Sequence, residues 1–286
     1  MGNIRLNFID SKNIYGTMNT GTVKYSNLTD SDKKMLMLMN DLKSVEQLQD
    51  YSLTKFDKNA IFRKHRHELA DKEGFEWGKM FMADQNDKSG TSFELTEDYV
   101  EANPEGWTDI REDILIITDK VPGVVVGHPV ADCPVVIMED KTKGVAAVCH
   151  CSAELIDKKM PMMVADALSS KFNSKDEDIT AYVSACAGDA WTYNSYPNWA
   201  TDEAVWKNGI IPDEKGLYHI NLRNALADQF VERKIKNVVY SPVDTITNSD
   251  YYSNSASSPY GLNDPTKYGR NFIGAVYKEK GKARTR

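Results

Sequence analysis

Four cysteines and a handful of histidines are the residues of this chain best suited to covalent or metal chemistry, and two of them close neighbouring apolar runs. Cys133 stands in Ala131-Asp132-Cys133, just before Val135-Val136-Ile137-Met138. His150 ends the run Gly144-Val145-Ala146-Ala147-Val148-Cys149-His150. Between the runs lies Glu139-Asp140-Lys141-Thr142-Lys143-Gly144, polar and glycine-terminated, so the spacing predicts two strands joined by a tight turn. Such a hairpin brings Cys133 and His150 near each other. A thiol beside an imidazole serves either as a nucleophile with its base or as two ligands of a soft metal. Both uses stay open at this level.

The other thiols and imidazoles read as structural. Cys149 and Cys151 flank His150, so the two-residue period of a strand turns them to the opposite face as packing residues. Cys186 precedes Ala187-Gly188-Asp189 and reads as core, with Asp189 as exposed turn chemistry. His128 lies five residues before Cys133, which puts it on the other face unless a bulge intervenes. His65 and His67 read as surface positions on a helix, and His219 as a strand-edge residue without chemistry. Trp191, Tyr193, Tyr251 and Tyr252 are loop aromatics able to stack on a flat ring or to cover a core edge.

The elements that must carry these residues alternate between strand and helix patterns. Strand character is expected at 4–9, 79–83, 114–118, 180–186, 238–240 and 271–277, with 114–118 a continuous apolar run of the kind that is buried on both faces. Helical spacing of apolar residues marks 31–48, 58–73, 156–172 and 222–234, with Pro161 near the start of the third, where a helix tolerates it. The polar stretch 84–90 and the Ser/Asn/Tyr/Gly/Pro-rich stretch 248–268 read as loops, the second long enough to suggest function. No internal repeat or linker stands out over 1–286. A single α/β domain is expected, with mixed central strands covered by helices on both sides.

Bulk properties narrow the function. Hydrophobic residues make up 41% and charged residues 27% of 286, as in an ordinary globular protein. A net charge of -7 without a basic cluster speaks against nucleic acid as partner. No apolar run is long enough to span a membrane, and residues 1–10 lack the pattern of a secretory leader. With no Cys-x-x-Cys pair, a reduced, cytoplasmic setting is the expectation.

Ordered segments across roughly 58–277 resemble the laccase-domain family, also described as multicopper polyphenol oxidoreductase-like or peptidoglycan-editing-factor-like. Residues 60–74 resemble its Arg-rich helix, 81–89 its strand ending in Gln-Val-His-Gly, and 111–118 its Asp-Ala-Leu-Val-Thr strand. Ala131-Asp132-Cys133 matches its Ala-Asp-Cys motif, and 144–155 its Ala-Ala-Val-His-Ala-Gly-Trp-Arg-Gly segment, with His150 on the motif histidine. Tyr252-Ser253 and Gly269-Arg270 resemble its Phe-Ser and Gly-Arg pairs.

The resemblance implies a layered α/β/β/α, cysteine-hydrolase-like fold and a purine nucleoside phosphorylase or adenosine deaminase activity at a zinc site. Carried over by position, Cys133 and His150 fall on two of the metal-binding and catalytic residues, and Asp87 is the nearest fit to the third, a histidine in the family. Arg270, Tyr252 and Ser253 fall at substrate-binding positions, and the expected partners are small molecules, a nucleoside and phosphate. The family's Trp-Arg pair is Ala153-Glu154 here, and a further Arg is Ser255; both changes remove anion contacts. A metal-free Cys-His hydrolase and a non-catalytic ligand-binding protein are therefore the alternatives. A multicopper oxidase, which needs many imidazole ligands, ranks last among the readings, since the chain has five scattered histidines.

Overall fold

The apolar runs become the strands of two facing sheets in a computed structural model, which describes residues 4–14, 66–83, 89–104, 106, 110–257, 267 and 269–279. In chain order the elements are β1 (Ile4–Ile14), α1 (66–73), β2 (Met80–Met82), β3 (Ser92–Glu94), α2 (Glu97–Ala102), β4 (Ile114–Thr118), β5 (Val125–Val130), β6 (Val135–Asp140) and β7 (Val145–His150). There follow α3 (Ala153–Asp157), α4 (Met160–Phe172), β8 (Ile179–Val183), β9 (Trp191–Tyr193), α5 (Glu203–Trp206), β10 (Ile210–Pro212), β11 (Tyr218–Ile220), α6 (Leu222–Arg233), β12 (Asn237–Tyr240), α7 (Asn254–Ser257) and β13 (Arg270–Glu279). One sheet has the order β1-β13-β5-β2, the second β12-β8-β6-β7-β4-β3, and a small third sheet β10-β11-β9.

Alternation along the strands divides the core into layers. Leu115, Ile117, Val135, Ile137, Ala146 and Val148 point from the six-stranded sheet toward Val126, Val130, Ile273 and Ala275 of the four-stranded one. Their neighbours Ile114, Ile116, Val136, Met138, Ala147 and Cys149 point the other way, onto Leu155, Val164, Leu168, Leu226 and Phe230 of α3, α4 and α6. On the outer face of the four-stranded sheet, Leu69 of α1 packs with Met80, Met82, Val125, Phe272 and Val276. The order of layers is helix, sheet, sheet, helix, as expected. Each central strand is buried on both faces, so β4 to β7 read as unbroken apolar runs.

Local chemistry explains the ends of these elements. The β6–β7 turn closes on Gly144, whose φ of 62° is left-handed. Asp140 helps hold it by accepting from the Thr142 hydroxyl and from the N–H groups of Thr142 and Lys143. The helix expected from 156 is two helices, because Lys159 adopts φ 58° and breaks the path between α3 and α4. Ser152 caps α3 by accepting from Leu155 N–H, and Asn221 caps α6 by accepting from Asn224 N–H. Pro129 is tolerated inside β5 because the pairing with β2 stops at Gly127.

Several expectations shift. The strand predicted over 79–83 is present as β2, shortened to Met80–Met82, with Lys79 in a 3-10 turn before it and Ala83 bridging to Ile110. The strand predicted over 180–186 ends at Val183, and Cys186 makes an isolated bridge to Asp244 instead. His67 is not a plain surface residue: its ring lies 4.1 Å from the Trp77 ring. The predicted helix at 31–48, residues 58–65 of the next helix, and most of the loop at 84–90, including Asp87, lie outside the described residues. Among the described residues no helix is long and apolar enough to cross a membrane.

Candidate active site

Strand register places His150. In the β6–β7 ladder it sits opposite Val135, so the two side chains share a face. The ladder runs one step further, with Cys151 N–H donating to Pro134 O at 2.9 Å. Cys133 lies two residues before Val135, ahead of β6 in the bend at 131–133. The groups that act on its thiol are Asp132, Arg270, Cys151 and Cys186, the last two in the core under the helices. Cys149 and Cys151 face the helix layer as expected, both fully buried with sulfurs 3.8 Å apart. Cys186 is in the same core.

What aims Cys133 is the residue before it. β5 belongs to the four-stranded sheet and β6 to the six-stranded one, so the chain must cross between sheets over 131–134. Asp132 makes that bend with φ 85°, a conformation that Asp and Asn tolerate better than other side chains. Its carboxylate is buried and accepts from the Thr245 hydroxyl at 2.7 Å and from Ser255 N–H. Its carbonyl accepts from Ala187 N–H at 2.8 Å. The bend is thus held by three separate segments of the chain.

The predicted substrate-binding residues converge on the same edge. Asn271 accepts from Tyr252 N–H and donates to the carbonyls of Tyr252 and Val130, tying the 251–257 segment to β13 and β5. The Tyr252 ring lies against Gly269, where an added Cβ would meet ring carbons at 2.6 Å. Arg270, next in line, carries a positive charge that pulls the Cys133 thiol downward. Ser253 is fully buried and its hydroxyl accepts from Ala256 N–H, so it shapes the start of α7. The buried Lys267 ammonium donates to the carbonyls of Thr245, Asn248 and Tyr251 and holds the segment from beneath.

Burial dominates the electrostatics. Loss of solvation, reinforced by the Asp132 charge and opposed by Arg270, pushes the Cys133 thiol up to about 12. His128 is the residue that sequence reasoning misplaced. It does not face away: its ring centroid is 6.1 Å from that of His150. The face rule failed because β5 lies in the opposing sheet, so its inward face looks at the inward face of β7. His128 is fully buried, its Nε2 is 3.3 Å from Val148 O, and burial lowers its pKa to about 4.

The His128 shift has a measurable sign. Below its unfolded value of 6.5 the unfolded chain takes up a proton that the folded protein refuses until about pH 4. Stability contributed by neutral His128 is present above pH 6.5 and is lost as pH falls toward 4, by about 3 kcal/mol in all. Denaturant unfolding at a series of pH values should show this slope, and His128→Gln should flatten it. An unchanged slope in that variant would show that other groups carry the acid sensitivity.

Among the described residues no group of three His, Cys, Asp or Glu converges. The third donor expected from sequence, Asp87, lies outside them. The described residues alone do not make a zinc site.

A layered α/β/β/α sandwich defines the class as a laccase-like α/β protein. The chain belongs to the multi-copper polyphenol oxidoreductase laccase family, whose family model matches residues 45–271. No curated protein is matched by the sequence. Among solved structures, YlmD from Geobacillus stearothermophilus is similar with a TM-score of 0.66 and 13% identity, over 97% of this chain and 93% of that one. The hypothetical protein YfiH from Bacillus licheniformis gives a TM-score of 0.63 and 16% identity, over 76% and 81%. NMB0706 from Neisseria meningitidis gives a TM-score of 0.57 and 12% identity, over 98% and 95%. At these identities the likeness is one of fold.

Proposed function

We propose that this chain is a purine nucleoside-processing enzyme whose chemistry is carried by Cys133 and His150. What supports the reading is the family match over residues 45–271, with His150 at the end of β7 opposite Val135 and Arg270 acting on the Cys133 thiol. Arg270 is the cation at that edge and suits an anionic group, either a phosphate or charge developing on a reacting oxygen. Tyr252 offers an aromatic face beside it. His150 is placed to take a proton from an attacking water or to give one to a departing purine nitrogen. Phosphorolysis and deamination would use the same edge with phosphate or water as the incoming group. Zinc at Cys133, His150 and Asp87 is part of the proposal, and elemental analysis of purified protein decides it.

The test is direct. Purified protein is incubated with adenosine or inosine, with and without phosphate, and the products are separated by chromatography. Release of free base, or of inosine from adenosine, is the expected result. No conversion at enzyme concentrations near those of the substrate would overturn the reading.

A metal-free Cys-His hydrolase, with Cys133 as nucleophile and His150 as base, is the second reading. It requires a reactive thiolate, and burial works against that at Cys133. Rapid alkylation of Cys133 at neutral pH in metal-free protein would favour it over the nucleoside enzyme.

A further inference from the structure

The sandwich opens at the end away from Cys133. A cavity of about 390 Å³ lies where β1 and the end of β13 face the β6–β7 turn, lined by Ile4, Leu6, Phe8, Tyr277, Glu139 and Gly144, with Arg5, Lys141 and Asp119 around it. Glu139 is four residues along β6 from Val135, about 13 Å at strand rise, so this is not the thiol–imidazole edge. The volume is that of a small-ligand site and far exceeds the share of a single water.

Its lining is built for more than solvent. Tyr277 is 3% exposed, and its hydroxyl has no hydrogen-bond partner among the described residues. A buried phenol normally finds a partner, and a ligand in the cavity would supply one. The Phe8 ring stacks on Tyr182 at 4.9 Å and remains 46% exposed, leaving an aromatic surface at the mouth. Glu139 is buried, and burial biases its carboxyl toward the acid form against the pull of Lys141. Gly144 lets the Asp119 carboxylate approach, since a Cβ there would meet it at 2.4 Å. With Arg5 and Lys141 set against Asp119 and a Glu139 biased toward its neutral form, no strong excess of either charge surrounds the cavity.

We propose that this cavity is a second binding site, for a small uncharged ring compound carrying a hydrogen-bond acceptor such as a carbonyl or ring nitrogen. The ring lies between Leu6, Phe8 and Ile4, and the acceptor takes the Tyr277 hydroxyl proton. Occupancy would join β1 to the β6–β7 turn and brace the far end of the two-sheet core.

Nicotinamide, benzoate and benzylamine are matched probes of one ring size and three charges. Titrated into isotope-labelled full-length protein, nicotinamide is expected to shift the signals of Phe8, Gly144 and Tyr277 at millimolar concentration, with the two ions weaker. Tyr277→Phe should weaken nicotinamide about tenfold, the loss of one hydrogen bond to a buried donor. Cys133→Ser should leave this binding unchanged, which separates it from the nucleoside reading. Absence of shifts around Tyr277 with all three probes, preference for either ion, or full binding in a folded Tyr277→Phe protein would each overturn the assignment.

Discussion

Cys133→Ala and His150→Ala are each expected to lower nucleoside conversion on the order of 10³-fold, with the double variant no worse than either single one. Groups that act as a unit lose nearly everything with the first deletion, so their effects do not add. Cys133 sits in the bend before β6 and outside both packed layers of the core, so its truncation is expected to leave the melting temperature near that of the parent. Activity and stability thus separate. If both single variants keep more than a tenth of the parent rate, the pair is not the catalytic centre. Alkylation gives an independent reading. A thiol pushed from 9.0 up to about 12 holds roughly 10³-fold less thiolate at neutral pH than an ordinary cysteine. Cys133 in metal-free protein should therefore react slowly with iodoacetamide. Arg270→Ala, which removes a cation opposing that shift, should slow it further.

The contrast between His150 and His128 shows what strand patterning reveals and what it conceals. The β6–β7 hairpin was legible because its parts are local: two apolar runs, six residues of turn chemistry, and a glycine at the left-handed position. Once the hairpin is assumed, period-two alternation alone puts His150 on one face and Cys149 and Cys151 on the other. His128 could not be placed by the same rule. Its position depends on β5 leaving one sheet for the other at Asp132, and a face is defined only within a sheet. The contact that would have revealed the crossing is Asp132 with Thr245, 113 residues away, which no local pattern encodes.

The short three-stranded sheet escaped for a related reason. Trp191–Tyr193, Ile210–Pro212 and Tyr218–Ile220 are too short to show any period, and they are strands only because they pair with each other. The aromatic residues there did carry a signal, of a core edge and not of an exposed stacking face. Trp191 stacks on Trp199 at 5.8 Å, and Trp199 meets Trp206 edge-on at 4.9 Å. Trp206 in turn donates to Asp157, which also accepts from Thr201 and Asp202.

Asp132→Ala is expected to be the most destabilising single change at the site, by about 3–5 kcal/mol. The substitution leaves the Thr245 hydroxyl and Ser255 N–H without their charged acceptor, and bonds of that kind contribute about 1.5–3 kcal/mol each. It also puts a Cβ without a compensating side-chain bond at φ 85°, a strained position for alanine. Asp132→Asn keeps an acceptor and tolerates that backbone, so it should cost about 1–2 kcal/mol. Denaturant melts of both variants check the ordering. Two consequences go beyond stability. The bend is what presents Cys133 at the edge, and Ser255 lies in the same 251–257 segment as Tyr252. Below the melting transition Asp132→Ala should therefore lose activity as fully as Cys133→Ala, while Asp132→Asn retains part of it. If alanine at 132 left both stability and turnover within a few-fold of the parent, the cross-sheet bend would be a passive linker, and the aim of Cys133 would have to come from β6 alone.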